Sequence, residues 1–227
     1  PDLQNALSHN VSLFYSSFNL FNYTNVFARL AYSKNIDQIR NLTNFENVIT
    51  TSTFFNSSFA DESVSAFGRI QRTFGKIRAT LNTNFNYSKS NQFIQGRQSL
   101  NESFIQSYTP GLRTNFREAP NVRLRYRYTV RDNDQGNNTT KFITRAPSIR
   151  FDAYIWNSLT FITDFAYNEQ ESDGQTNVFK TWDASLRYRK DRDAKWEYSL
   201  RASNILDIDS NISNGAGNIS VFSQETF

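Results

Sequence analysis

The chain has 227 residues, with 25 lysines and arginines against 21 aspartates and glutamates, and it contains neither cysteine nor methionine. This length is compatible with one large all-β domain, and the lack of cysteine excludes a disulfide scaffold and a thiolate metal site. The net charge of +4 is mild. Because nucleic-acid binding needs a basic excess concentrated on one surface, we expect no nucleic-acid partner.

Apolar residues are thinly interleaved with polar ones. Aromatic residues make up 15% of the chain and phenylalanine alone accounts for 21 residues, yet the mean hydropathy is −0.61. A transmembrane β-barrel wall has this composition, because only the outward half of each strand meets lipid. No apolar run reaches the length of about eighteen residues that a spanning helix requires.

About eleven strands are predicted along the chain, with errors of a few residues at each boundary. They lie at 8–18, 23–37, 61–73, 76–90, 100–117, 121–133, 139–152, 158–169, 177–189, 195–207 and 217–227. Short turns are predicted at 19–22, 74–75, 118–120, 153–157 and 191–194, and longer polar loops at 38–60, 91–99, 134–138, 170–176 and 208–216. Such alternation is typical of outer-membrane barrels, whose periplasmic turns are tight and whose outer loops are long.

Residues 44–54 also look like a strand. If they crossed the wall, however, the tight turn at Gly75 would lie on the same side as the long loops. We therefore expect 38–60 to be one outer excursion, with a hairpin of its own above the membrane.

Strict alternation distinguishes two faces in the segment from Asn121 to Arg131, where apolar and aromatic residues alternate with four arginines. Side chains of a strand point to opposite faces with period two. The same pattern recurs in later segments, which gives a predicted lipid-facing set of Leu124, Tyr126, Phe161, Leu186 and Leu200. The three tryptophans, Trp156, Trp182 and Trp196, are predicted near strand ends, where amphipathic aromatic rings mark the membrane interfaces.

A soluble β-sandwich or a propeller could also bury the apolar faces. A propeller should show a blade repeat with recurring glycine and tryptophan positions, and none is evident. A sandwich does not account for the loop asymmetry or for long strands with many outward aromatic residues. The predicted fold is thus all-β, an antiparallel transmembrane β-barrel.

Several segments resemble the barrel portion of the Bacteroidota outer-membrane β-barrel family, whose members are similar to TonB-dependent receptors. The resembling segments include Asn5-Ala6-Leu7-Ser8-His9, Phe59-Ala60-Asp61-Glu62 and residues 18–25, 72–76, 112–116, 182–190 and 202–207. The resemblance covers essentially the whole chain and implies a barrel of about twenty-two strands. It implies that residues 1–227 are the carboxy-terminal part of the barrel domain, with the plug and amino-terminal domains lying outside this chain.

The same resemblance implies a location in the bacterial outer membrane, in contact with lipid and lipopolysaccharide. It also implies a plug domain, TonB or surface lipoproteins as candidate partners. Two functions remain open on this basis. One is uptake of a bulky solute, and the other is a scaffold barrel without transport of its own in a secretion or surface-display assembly.

A lumen-facing basic ladder is predicted from the alternation. Its members are Arg78, Arg113, Arg123, Arg125, Arg127, Arg187 and Arg201. The ladder could attract anionic solutes or hold a plug or partner through carboxylates. Cross-strand pairing with Asp152, Asp164, Asp183 and Glu197 is the alternative that we favour from sequence, since barrel lumens are normally polar and charged.

The outer loops carry aromatic residues that could stack on sugar, peptide or siderophore ligands. These candidate contacts are Phe45, Phe54, Phe55, Phe59 and Phe93. We expect no enzymatic activity, because His9 is the only histidine and no Gly-x-Ser-x-Gly elbow or phosphate-binding glycine loop occurs. No cofactor and no metal are expected either, since the loop that starts at Asp132 lacks the glutamate of a calcium site.

Overall fold

A computed structural model describes residues 3–46, 49–94, 97–117, 120–136, 138–156, 158–172, 174–191, 193–207, 211–216 and 221–226. Within these ranges the chain consists of strands, turns and connecting segments. None of these described segments is a helix able to cross a membrane.

The described residues form fourteen strands. They are β1 (Leu7–Asn19), β2 (Thr24–Ile36), β3 (Ile39–Glu46), β4 (Ile49–Asn56), β5 (Asp61–Phe74), β6 (Ile77–Ile94), β7 (Arg97–Thr114), β8 (Asn121–Asp134), β9 (Thr139–Ile155), β10 (Leu159–Ser172), β11 (Gln175–Tyr188), β12 (Tyr198–Ala202), β13 (Asn211–Ala216) and β14 (Val221–Thr226). The prediction of an all-β chain is confirmed.

Ten of these strands form one meandering sheet in the order β1-β2-β5-β6-β7-β8-β9-β10-β11-β12, and each neighbouring pair is antiparallel. They correspond to the first ten predicted segments. The eleventh prediction, 217–227, is wrong as a strand of this sheet, because β14 pairs with β13 in a separate two-stranded sheet. Residues 217–220 and 227 of that prediction lie outside the described residues.

The excursion at 38–60 carries the expected hairpin, formed by β3 and β4, which lies off the main strand path. Polar contacts hold it against the sheet. Arg40 pairs with Asp61, whose Oδ1 accepts a hydrogen bond of 3.1 Å from the backbone N–H of Asn91. Asn91 and Ser57 are only 3% and 1% exposed. The hairpin is thus an ordered extension of the sheet at its long-loop end.

Three of the predicted long loops are wrong. The segment 208–216 contains β13, and the segments 91–99 and 170–176 largely continue strands of the main sheet. Strand β6 continues to Ile94 and β7 starts at Arg97, while β10 reaches Ser172 and β11 starts at Gln175. Both segments were predicted as loops because their residues are polar. Where water reaches both faces of a hairpin, however, polar side chains lose no hydration, and the backbone hydrogen bonds continue along both strands.

Two prolines interrupt the ladder inside central strands. In the β7–β8 pairing the register breaks opposite Pro110, between the pairs Tyr108↔Tyr128 and Gly111↔Arg125. In the β9–β10 pairing it breaks in the same way opposite Pro147. Proline lacks the N–H that the ladder needs. Pro110 and Pro147 share one cross-strand row through Tyr126, so the two breaks lie at one level of the sheet, with a continuous β8–β9 ladder between them.

Asn121 organises the connection between β7 and β8. Its Oδ1 accepts a hydrogen bond of 2.6 Å from the backbone N–H of Phe116, and its Nδ2 donates one of 3.0 Å to the Phe116 carbonyl. The Thr114 hydroxyl accepts a bond of 2.8 Å from the N–H of Val122. Side chains thus replace the backbone pairing that would otherwise close this turn.

Replacing Asn121 with alanine should lower the free energy of unfolding by about 0.5–1.5 kcal/mol, because two exposed backbone groups of Phe116 lose their partner. Urea unfolding of the protein measures the change. Asn84→Ala is the matched control, since Asn84 is exposed on a strand and makes no side-chain hydrogen bond within the described residues. Equal stability of the two variants would contradict the role given to Asn121.

Candidate functional site

The register of the ten-stranded sheet sorts every side chain onto one of two faces, because cross-strand partners project to the same side. One row, for example, joins Leu112, Leu124 and Ile149. We call the face that contains Leu124 the apolar face and the opposite one the polar face. The predicted lipid-facing residues Leu124, Tyr126, Phe161, Leu186 and Leu200 all lie on the apolar face.

The apolar face is open to its surroundings. Leu124 is 44% exposed, Leu186 is 38% exposed and Leu200 is 71% exposed. Only three hydrophobic residues in the described parts of the chain are buried, namely Val130, Ala146 and Ala153. An exposed apolar surface of this size is typical of a face that contacts another apolar surface.

The three tryptophans do not behave alike. Trp156 and Trp196 lie beside short turns and are 86% and 76% exposed. The prediction that Trp182 lies near a strand end is wrong, because it lies in the middle of β11. There its indole N–H donates a hydrogen bond of 2.8 Å to the Thr163 hydroxyl. Two of the three tryptophans thus lie beside strand ends, as predicted.

Charged residues border the apolar face at its long-loop end, and we call this border the charged margin. Its members, taken strand by strand, are Lys34, Glu62, Lys89, Glu102, Asp132, Arg145, Glu169 and Lys180. Several form ion pairs: the Lys34 Nζ lies 3.2 Å from Glu62, and the Lys89 Nζ lies 3.6 Å from Glu102. Arg145 pairs with Glu169 and with Glu171.

Between the charged margin and the short turns, the apolar face of the described strands carries no charge except Arg72, near the end of β5. The distance from the charged margin to the short-turn end of the strand varies from about eight to twelve residues. It is eight residues from Lys180 to Tyr188 on β11 and twelve from Lys89 to Ile77 on β6. This uncharged stretch, which we call the apolar band, matches the length of about 9–11 residues that a tilted strand needs to cross a bilayer.

The charged margin also runs obliquely across the strands. From Lys34 to Glu102 the charged margin follows one cross-strand row. Between Glu102 and Lys180 on β11 it shifts by about eight residues along the strands, toward the short turns. That shift is about 27 Å along a strand, while the crossing from β2 to β11 is about 34 Å. The average inclination is therefore about 40°, which equals the strand tilt of transmembrane barrels.

The polar face carries four arginines that oppose one another in a single row. Register pairs join Arg78 to Arg113, Arg113 to Arg123 and Arg123 to Arg150, across β6, β7, β8 and β9. We call these four residues the arginine row. Opposed like charges in a sheet are destabilising, so this arrangement has an energetic cost.

Only one end of the arginine row is neutralised. The Arg150 Nε lies 2.9 Å from Asp152, and its Nη1 lies 3.2 Å from Asp164. Arg78, Arg113 and Arg123 make no ion pair with any described residue. The predicted pairing with Asp152 and Asp164 is thus made by Arg150, which lies outside the predicted ladder, and not by Arg78, Arg113 or Arg123.

Two adjoining depressions open over the arginine row. One has a volume of about 490 Å³ and the other about 270 Å³. Arg123 and Arg125 line both of them, Arg127 lines the larger and Arg113 lines the smaller. Pro147 lines the larger depression and Thr109 lines both, so the breaks in the ladder lie beside these arginines.

The remaining members of the predicted ladder lie on the same face but apart from the row. Arg187 pairs with Glu197 at 3.2 Å. Arg201 lies on β12 opposite Ser185 and is exposed. The structure therefore divides the ladder into a clustered group over β6–β8 and separate residues towards β12.

Three of the five predicted loop aromatics have side chains within the described residues. Phe54 is 56% exposed on β4, and Phe59 is 42% exposed beyond it. Phe55 is half-buried on the same strand. Phe45 falls in β3 and Phe93 in β6 rather than in a loop, and their side chains lie outside the described residues.

Sequence reasoning missed two features of the polar face. Arg150 was not included in the ladder, although its alternation with the apolar residues Ile149 and Phe151 would have placed it there. An aromatic cluster also lies on this face, with Phe27 5.4 Å from Phe14 and 5.7 Å from Phe67 between ring centroids. These three residues are far apart in sequence, so only the register brings them together.

Comparison with known proteins adds no assignment: no protein-family model matches this sequence, and no curated protein matches it significantly.

Replacing Arg113 with glutamine should stabilise the protein at low ionic strength, by up to about 1 kcal/mol for each of its two opposed arginines. The gain should shrink in high salt, because salt screens repulsion between exposed charges. Urea unfolding in detergent at low and high salt measures both effects. Arg187→Gln is the control, since it removes the same charge from an ion pair, and a gain in that variant equal to the gain in Arg113→Gln would contradict the prediction.

Proposed function

We propose that the chain forms part of the wall of an outer-membrane β-barrel that takes up a bulky solute, in the manner of TonB-dependent receptors. The observation that carries this proposal is the apolar band. It has a width of about eight to twelve residues and an average inclination of about 40° to the cross-strand rows. A bilayer sets both the width of such a band and its average inclination, whereas a buried protein core sets neither.

The ends of the apolar band support the same placement. On the short-turn side lie exposed aromatic residues, with Phe21 99% exposed, Trp156 86% and Trp196 76%. On the other side lies the charged margin, which would meet lipopolysaccharide head groups. Aromatic and charged side chains are stable at such interfaces, because each can remain hydrated there.

The polar face and the long hairpins support uptake. A water-filled lumen tolerates the arginines, asparagines and serines of the polar face. The hairpin of β3 and β4 is held to the sheet by Arg40, Asp61 and Asn91, so it would offer an ordered capture surface at the outer end. A plug domain and TonB would complete the transport cycle.

Cysteine labelling tests the membrane placement, and the chain has no cysteine of its own to interfere. Oxygen, which partitions into lipid, should accelerate the relaxation of a spin label at Leu124→Cys. A water-soluble nickel complex should instead accelerate the relaxation of a label at the neighbouring Arg125→Cys. Both are measured by electron paramagnetic resonance on the protein in lipid nanodiscs.

A second pair of labels tests the depth of the band. A label at Ile70→Cys, inside the apolar band, should be more exposed to oxygen than one at Glu62→Cys in the charged margin. Equal oxygen accessibility at Leu124 and Arg125, or at Ile70 and Glu62, would rule out a bilayer against the apolar face.

Uptake itself is tested by comparing the solutes that remain in the growth medium of cells with and without the intact protein. Mass spectrometry should find a solute that is depleted only when the protein is present, and deletion of residues 39–56 should reduce that depletion several-fold because the capture surface is lost. Immunodetection of the deleted variant in the outer-membrane fraction is the control for folding. No difference in solute depletion, with the protein present in the membrane, would refute uptake and leave the membrane placement standing.

A further inference from the structure

We propose that Arg78, Arg113, Arg123 and Arg125 form a binding site for a solute that carries two or more neighbouring phosphate or carboxylate groups. The site lies on the polar face, over β6, β7 and β8. The inference names a substrate class for the proposed transporter, and in that respect it rests on the proposed function. The binding site itself depends only on the geometry of the sheet.

The arrangement of charges calls for an external anion. Arg78, Arg113 and Arg123 occupy one row on adjacent strands, where cross-strand neighbours are about 5 Å apart. None of the three has an ion-pair partner within the part of the chain that the structure describes. An anion that bridges neighbouring guanidinium groups would convert their repulsion into attraction, and so would bind more strongly than at isolated arginines.

The surroundings leave room for such a ligand. Gly111 and Ser148 flank Arg125 in its row, and Ala146 lies beyond them in the next row with 8% exposure. These small side chains leave the depressions open, while the arginines stand around them. A Cβ atom on Gly111 would lie 3.3 Å from the Leu124 carbonyl oxygen, so this position favours glycine.

Carboxylates set the limit of the site on one side. Beyond Arg123 the row continues through Arg150 to Asp164 and Asp183. Arg150 is already neutralised by Asp152 and Asp164, and Asp164 would repel an anion that extended further. Asp164 and Asp183 also line the larger depression, so the ligand is directed to the smaller one, whose described lining has arginines and no carboxylate.

Recognition of two groups rather than one follows from the spacing. A single phosphate or carboxylate binds one guanidinium in a bidentate manner. Groups about 5 Å apart on one molecule can satisfy neighbouring arginines at the same time. A solute with several anionic groups should therefore bind more tightly than inorganic phosphate or acetate.

Calorimetric titration of the protein in detergent micelles tests the site. The probes are pyrophosphate and citrate, each compared with its single-group counterpart, inorganic phosphate or acetate. We expect at least one of the two larger anions to bind more tightly than its counterpart, and binding to weaken as sodium chloride is added. The double variant Arg113→Gln/Arg123→Gln should lose at least about tenfold in affinity for each arginine removed.

Arg187→Gln is the matched control, because it removes a cation from the same face but from an existing ion pair. It should bind as tightly as the unaltered protein. The thermal midpoint gives a second measure: the anion should raise it for the unaltered protein and for Arg187→Gln, but not for the double variant. Since removing like charges should not unfold the sheet, the double variant remains informative.

Three results would overturn the proposal: no binding of either larger anion, affinities of both larger anions no higher than those of their single-group counterparts, or equal loss of affinity in the double variant and the control. Preference for pyrophosphate would identify phosphate as the recognised group, and preference for citrate would identify carboxylate. Binding without uptake by cells would leave the anion site standing and refute only the transport function.

Discussion

The hydrogen-bonded ladder between antiparallel strands is the constraint on which every other feature depends. It fixes the register, and the register decides which side chains share a face. A shift of one residue in any strand would move its aromatic residues to the polar face and its arginines to the apolar face. Because ten strands keep their alternation in phase, two surfaces of opposite chemistry are separated by the thickness of one backbone.

The two surfaces make different demands on stability. Contacts between neighbouring side chains on the apolar face bury little, since most of its large residues remain exposed. The favourable free energy of this face must come from transfer to an apolar environment. On the polar face the ion pairs of Arg150 and Arg187 offset local charge, but the arginine row adds repulsion. A protein retains such repulsion at small cost if a bound anion relieves it.

The sequence predicted the first ten strands well and the connections less well. Alternating residues such as those from Val122 to Val130 indicate a strand whenever one face is apolar. That alternation is absent between the charged margin and the long-loop ends of the strands, where both faces are polar. Residues near Phe93 and Gln170 were therefore assigned to loops, although they continue β6 and β10. The last segment failed for a different reason: its alternation cannot distinguish a strand of the main sheet from one of an isolated hairpin.

The candidate site, like the fold, was predictable from the sequence only in part. The sequence by itself determined that Arg123, Arg125 and Arg127 share one face and that Leu124 and Tyr126 share the other, because period-two alternation is a local property of the chain. Only the tertiary structure decided that Arg78, Arg113 and Arg150 stand in line with Arg123, and that Pro110 and Pro147 lie in one row. Those placements depend on register between strands up to about seventy residues apart in sequence, and register is set by the whole set of turns and ladders.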